Sequence, residues 1–251
     1  MPSRRLLFAG LASGSLVALA GGCARGRSSP PADADGCRAP GELVEFSSVA
    51  GARLYYAESG KPVVQRIQPA FLAQLEAWAL DWAEVSGYGP VLEITSFGAF
   101  VDKCGSFHQL GRAFDLAQIR QEEAAVSARF DEWQPGRSQQ LRDYWRLAAS
   151  LQLHFNYTLC YPYNDAHLNH IHVDNSISGS DFSEFNQNSR VQVQLVQHTL
   201  RHVFDLPTPD TGVFDDVTRD ALRQVQAAAG IHAPLRNAAG WHAYLRAAAR
   251  G

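Results

Sequence analysis

Stretches of helical apolar spacing alternate along this chain with short β-rich runs, and that alternation sets its outline. From Gln68 to Ser86 the residues Phe71, Leu72, Leu75, Trp78, Ala79 and Trp82 recur three and four apart, which predicts an amphipathic helix that buries both tryptophans. Ser138 to Leu151 repeats the pattern with Leu141, Tyr144, Trp145, Leu147 and Ala148. Between and after these helices, residues 91–95, 113–119, 154–159 and 170–173 are short runs that read as strands. Helices mixed with a small antiparallel sheet make an α+β domain, placed at residues 38–178.

Residues 179–189 are rich in Ser, Asn and other polar types and predict a linker. Helical spacing then returns. Leu195, Leu200 and Val203 mark one helix, Ala221, Leu222 and Val225 a second, and residues 241–247 form a third amphipathic piece. The turn between the first two runs through Asp210, Gly212 and Asp215. Residues 190–248 are therefore expected to fold as a small all-α three-helix domain.

The N-terminal residues bear on location. Arg4 and Arg5 precede an apolar stretch from Leu6 to Ala20 and then Gly21, Gly22 and Cys23, the layout of an export signal over residues 1–23. The apolar run is shorter than a spanning helix requires and is broken by Gly and Ser. Its small residues before Cys23 resemble a bacterial lipobox, with Cys23 as the lipidated residue and Ala20 where Leu is usual; simple cleavage nearby is the alternative. Residues 24–37 lack apolar periodicity and read as a flexible tether. The expected location is the periplasm or cell envelope, with the membrane reached through a lipid anchor and, where the cell has one, the outer membrane as destination.

Charge narrows the partners. A net charge of −3 with no basic cluster excludes a nucleic-acid binder of the usual kind. The chain has neither a Gly-rich phosphate loop nor a nucleophile elbow.

The residues that carry chemistry lie in two segments. Ser106-Phe107-His108-Gln109-Leu110-Gly111-Arg112-Ala113-Phe114-Asp115 holds a His and an Asp, and Asn169-His170-Ile171-His172-Val173-Asp174 adds two imidazoles. Zinc accepts His nitrogen and carboxylate oxygen, and a catalytic site keeps three protein ligands with a fourth position for water. His108, Asp115 and His172 supply such a set. Gly111 permits a tight turn after the first ligand, and Ala113 leaves little bulk beneath it. On a strand His170 and His172 point to the same face, so one can bind metal while the other meets substrate. A half-exposed strand with two histidines is the bland alternative for that segment taken alone.

At these residues the chain resembles the zinc peptidases of the D-alanyl-D-alanine carboxypeptidase, lysostaphin-type and hedgehog-like group, which share Ser-x-His-x-x-Gly-x-Ala-x-Asp followed by His-x-His. The run from Tyr163 to Asp174 is most similar, within that group, to the extensin-like C-terminal domain. The resemblance implies Zn2+ held by His108, Asp115 and His172, with His170 as the catalytic histidine outside the ligand set and His167 as second choice. Ser106 would support the metal loop and Asp174 would orient an imidazole, with Asp165 as a further candidate. Two departures stand out: Asn169 occupies a place where several relatives carry a Glu base, and residues 96–100 lack the Arg that often grips a substrate carboxylate. Lys103 and Arg112 are the cations nearby. Tyr157, Tyr161 and Tyr163 either line a groove or pack as strand and turn aromatics.

Residues 190–248 resemble the small helical peptidoglycan-binding domain, through Gln194, Leu195, Leu200, Asp210, Gly212, Phe214, Thr218, Ala221, Leu222, Gln226, Gly230, Trp241 and Leu245. Together the two resemblances imply an exported zinc metallopeptidase, a carboxypeptidase or endopeptidase on peptidoglycan, with peptidoglycan as partner. The alternatives are a wall-binding lipoprotein with a structural or vestigial zinc site, and an endopeptidase for a non-wall protein. Four cysteines complete the picture. With Cys23 lipidated and the protein exported, one disulfide is expected. A Cys104 to Cys160 bridge would tie the two site segments together, and Cys37 could equally take either partner.

Overall fold

A computed structural model describes residues 40–133, 138–175 and 183–251. The expected signal, Cys23, the tether and Cys37 lie outside the described residues, as do residues 176–182 at the start of the expected linker.

The first elements are strands β1 (Val44–Phe46), β2 (Ser48–Val49), β3 (Ala52–Tyr56) and β4 (Gln65–Ile67), followed by helix α1 (Pro69–Ser86). Pro69 opens α1, where its missing N–H costs nothing, and Gly87 in the left-handed conformation closes it. Strands β5 (Val91–Gly98), β6 (Ala113–Gln121) and β7 (Ala125–Ser127) come next, then helix α2 (Ser138–His154) and strands β8 (Tyr157–Leu159) and β9 (Ile171–Asp174). The chain ends in helices α3 (Arg190–His202), α4 (Asp216–Ala228) and α5 (Ala238–Arg250). Ser189, Asp215 and Asn237 cap α3, α4 and α5 by accepting from the first-turn amides.

The main sheet runs β2-β3-β5-β6-β9-β8, with β7 paired to the far half of β6. It is mixed rather than antiparallel. Strands β3 and β5 are parallel, because α1 carries the chain back between them, and the other pairs are antiparallel. The spacing of residues 52–56 alternates too weakly to show β3 in the sequence. The expected strand at residues 154–159 also starts later, since His154 closes α2 and β8 begins at Tyr157.

Helices α1 and α2 cover one face of the sheet; α3 packs on α2 and β8, and α5 on α2 and α1. Both α1 tryptophans are fully buried, as their spacing predicts, and each indole N–H donates to a buried acceptor: Trp78 to Ser150 Oγ at 3.0 Å and Trp82 to Gln121 Oε1 at 2.7 Å. Ile171 and Val173 face this core, so the alternation of β9 turns His172 and Asp174 to the opposite face.

Candidate metal centre

Strand register brings the two chemical segments together. Asp115 on β6 lies directly across from His172 on β9, and on its other side it pairs with Gly98 of β5. His108 arrives from the turn before β6. Gly111 makes that turn possible at φ 63°, where a Cβ would collide with the Leu43 side chain and approach the Gln68 nitrogen to 2.9 Å. The Gln68 amide donates to the Gly111 carbonyl at 2.9 Å, tying the turn to the start of α1. Ser106 Oγ accepts from the His108 amide at 3.2 Å, the supporting place the sequence assigns it.

Three donor atoms converge. His108 Nε2 lies 3.2 Å from Asp115 Oδ1, His172 Nδ1 lies 2.8 Å from that oxygen, and the two ring nitrogens are 3.2 Å apart. Among the described residues this is the one His/Cys/Asp/Glu group able to hold a metal ion. A tetrahedral ion with bonds of about 2.0–2.1 Å sets its ligand atoms about 3.3 Å apart, so the spacing fits a centre of zinc's size.

Outer partners aim both ligand histidines. The Ala99 carbonyl can only accept, so His108 Nδ1 donates to it at 2.6 Å and Nε2 presents its lone pair to the site. His172 Nε2 donates to Asp174 Oδ2 at 3.1 Å, leaving Nδ1 as the inward atom. Asp174 is buried, consistent with the orienting role rather than a solvated strand end. Burial alone would raise the Asp115 pKa, but the His108 and His172 imidazoles beside it outweigh burial and hold the carboxyl well below its usual range. Burial opposes charge on His172 as well, yet Asp115 and Asp174 together raise it to about 9 in the metal-free protein. The trio is thus a dense, charge-paired cluster whose proton a cation would replace.

His170 and His167 stand beside the trio. His170 precedes β9 by one residue, and its Nε2 is 3.4 Å from Asp115 Oδ1. Its Nδ1 donates to Asn169 Oδ1 at 2.6 Å, which keeps Nε2 free to accept a proton; burial lowers its pKa. His167 sits in a 3-10 turn with its ring 5.2 Å from that of His170, and burial brings it down to about 4. Asn164, not Asp165, holds His167, at 2.7 Å. Asn169, at the place where a Glu base would stand, accepts this hydrogen bond from His170.

Other expectations are corrected or completed. Cys104 is disulfide-bonded, but Cys160 is a free, buried thiol, so the Cys104 to Cys160 bridge does not exist. Cys104 lies exposed in the turn before His108, whereas Cys160 is sunk beside Tyr144, where burial pushes its thiol up to about 12. Tyr161 belongs to packing, stacked on Phe130 at 3.9 Å, while Tyr163 is partly exposed and meets His167 edge-on at 5.3 Å. Arg112 donates to the Asn175 carbonyl.

Three residues near the site escape sequence reading. Phe97 lies 5.9 Å from His170, and Arg129 sits over the Phe97 ring at 5.4 Å while pairing with Asp131. Arg66 stacks over Phe100 at 4.5 Å, on the wall of a cavity of about 330 Å³ that also includes Phe97 and Gly98. No motif marks them, since each reaches the site through strand pairing or a loop.

Comparison with known families gives one match. Residues 189–233 match the family described as "Putative peptidoglycan binding domain". The match lies within the C-terminal helices and supports a peptidoglycan-binding domain there. No curated protein and no solved structure matches the chain. The match supports peptidoglycan as a partner and an association with the cell envelope. No helix among the described residues is long and apolar enough to cross a membrane.

Gly212, at φ 69°, lets the α3–α4 turn fold against Arg190 and Gln194. The buried Gln197 amide then pins that turn, donating to Val213 O at 3.0 Å and Thr218 Oγ1 at 3.1 Å and accepting from the Gly212 amide at 2.9 Å.

Proposed function

We propose that this protein is an exported, lipid-anchored zinc-dependent peptidase that hydrolyses peptide bonds of peptidoglycan, with its C-terminal domain concentrating it on the wall. The observation that carries the reading is the convergence of His108 Nε2, Asp115 Oδ1 and His172 Nδ1, both imidazoles aimed by outer partners, with His170 Nε2 beside them.

Zinc bound by His108, Asp115 and His172 supplies Lewis acidity, which polarises a carbonyl and makes water a better nucleophile near neutral pH. The protein's own residues do the rest. Asp174 and the Ala99 carbonyl hold the two ligand imidazoles in their working tautomers. His170, locked by Asn169, presents an unprotonated Nε2 that accepts a proton from the attacking water and returns it to the leaving amine. His167 is the second candidate for that proton. The cavity beside Gly98 gives the peptide flanking the scissile bond a place to lie, one strand away from Asp115. A binding domain in the same chain raises the local substrate concentration without tight binding at the active site.

The deciding experiment is mass spectrometry of purified peptidoglycan after incubation with the protein zinc-loaded, chelated, or carrying His172→Ala. Metal-dependent release of D-Ala or of uncrosslinked muropeptides is expected, absent in the other two samples, and the products name the bond. Asn169, standing where several relatives carry a Glu, favours one rival: a wall-binding protein whose metal is structural. Stoichiometric zinc with an unchanged wall in all three samples would replace the peptidase reading with that one.

A further inference from the structure

The C-terminal region differs from the rest of the molecule in charge. Residues 190–251 hold seven Arg and no Lys against five Asp and no Glu, in a chain whose net charge is −3. Three of these arginines, Arg219, Arg223 and Arg236, line one cavity of about 540 Å³, and no carboxylate lines it. That volume is in the range of ligand pockets.

The cavity is assembled rather than incidental. Phe214, from the turn before α4, forms one wall with Phe185, which reaches in from the segment before α3; their rings are 5.5 Å apart, and Phe185 also lies 5.0 Å from Trp241 of α5. Arg219 is held over the Phe214 ring at 5.4 Å. Gln226 donates to Ala233 O at 3.0 Å and so fixes the loop that carries Arg236. Among the described residues Arg219 and Arg223 pair with exposed Asp216 and Asp220, one helical turn away, and such pairs are worth little in water and exchange readily. Arg236 has no ion pair among the described residues.

We propose that this cavity is the recognition site for the carboxylates of peptidoglycan stem peptides. The inference rests on the peptidoglycan-binding assignment of residues 189–233 and not on the peptidase reading. The fixed anions of peptidoglycan are carboxylates on its peptides, and guanidinium groups pair with carboxylate in a two-bond fork that ammonium cannot match. The Phe185 and Phe214 rings offer apolar surface to the aliphatic parts of the peptide. Both Phe185 and Arg236 lie outside the stretch that matches the family, so the site is a property of this chain's own flanks.

The test is co-sedimentation of the full-length protein with native peptidoglycan and with peptidoglycan whose carboxyls are capped as amides, alongside NMR of the protein with a soluble disaccharide tetrapeptide, its amidated form, and inorganic phosphate. Native wall and free tetrapeptide should bind. Amidation, or the combined Arg219→Gln, Arg223→Gln and Arg236→Gln changes, should weaken binding at least tenfold. The single Arg236→Gln variant, exposed and unpaired, keeps the test valid if the triple variant unfolds, and should weaken binding several-fold with an unchanged circular dichroism spectrum. Equal binding to native and amidated wall overturns the proposal while leaving wall binding intact. Phosphate competing as well as the tetrapeptide overturns it in favour of a general anion site. A tetrapeptide that shifts the cavity resonances in a protein that fails to sediment with wall supports the site and removes the wall-binding role instead.

Discussion

Asp174 shows what one side chain does in this fold. It touches no candidate metal position, yet it decides which nitrogen of His172 faces inward, because Nε2 is occupied at 3.1 Å and only Nδ1 remains. Replacing it by Asn keeps the shape and removes the charge. Asp174→Asn is expected to lower zinc affinity about 10–100-fold, the usual cost of losing an outer partner. Competition with a chromophoric chelator measures this, and an unchanged melting temperature would separate lost tuning from lost folding. An affinity equal to wild type would show that Asp174 does not orient the ligand. His108 and Asp115 were legible as ligand types from their motif, but the Ala99 carbonyl that aims His108 was not, since a backbone acceptor leaves no mark on residue type.

Among the elements, α3 carries two predictions. Its Gln197 is buried with its amide fully used by the turn before α4. Gln197→Ala should destabilise the protein by about 1–3 kcal/mol, because the hydrogen bonds of one buried amide to the turn are lost at once. Urea unfolding followed by tryptophan fluorescence would show it, and a change below about 0.5 kcal/mol, as at ordinary surface positions, would contradict it.

The same helix presents His198, stacked on Trp145 of α2 at 4.2 Å. Burial is the largest influence on it; Asp210 at 3.0 Å favours its charge, while Arg201 and His202 oppose it, and the pKa falls to about 4. In the unfolded chain the value is about 6.5. Between these values the unfolded state binds the proton and the folded state does not, so stability is lost as pH falls from about 6.5 toward 4 and is unaffected by this group above that window. Melting temperature against pH should therefore drop across that interval, and less steeply in His198→Gln. A variant with the same slope as wild type would remove His198 from the account. The sequence shows α3 from Leu195 and Leu200, while Gln197 and His198 carry no apolar signal in it. They are buried because α3 has neighbours on both sides.

Across the whole molecule, the C-terminal helices and the region that carries His108, Asp115 and His172 pack on each other. Arg146 of α2 is the main brace: its guanidinium donates to Ser86 O at 2.7 Å, Ala249 O at 3.0 Å and the Tyr88 hydroxyl at 2.8 Å, joining the end of α1, α2 and the end of α5. Ser183 repeats the device, its amide donating to Leu153 O at 3.0 Å and its hydroxyl accepting from the Trp241 indole at 2.9 Å. Arg146→Ala should cost about 3–5 kcal/mol, as for a broken buried charge network, and should lower the unfolding midpoint of both regions together. Domain-resolved hydrogen exchange would reveal this, and independent unfolding of the tail with the rest unaffected would refute the coupling. Helices α3 and α5 both pack on α2, and α3 also meets β8, so the C-terminal helices share one core with the sheet.

The sequence by itself determined the ligand types and their spacing, the two main helices and the three of the tail, and the turn glycines Gly111 and Gly212. These are local signals, set by apolar period and by backbone conformations that only certain residues adopt. Tertiary structure decided the rest. Strand register chose Asp115 and His172 as neighbours, the crossover through α1 made β3 and β5 parallel, burial left Cys160 a free thiol, and helix packing gathered Arg219, Arg223 and Arg236 around one cavity. Each depends on which distant segments meet, and pairing between segments is fixed by the packing of the whole core, which no window along the chain contains.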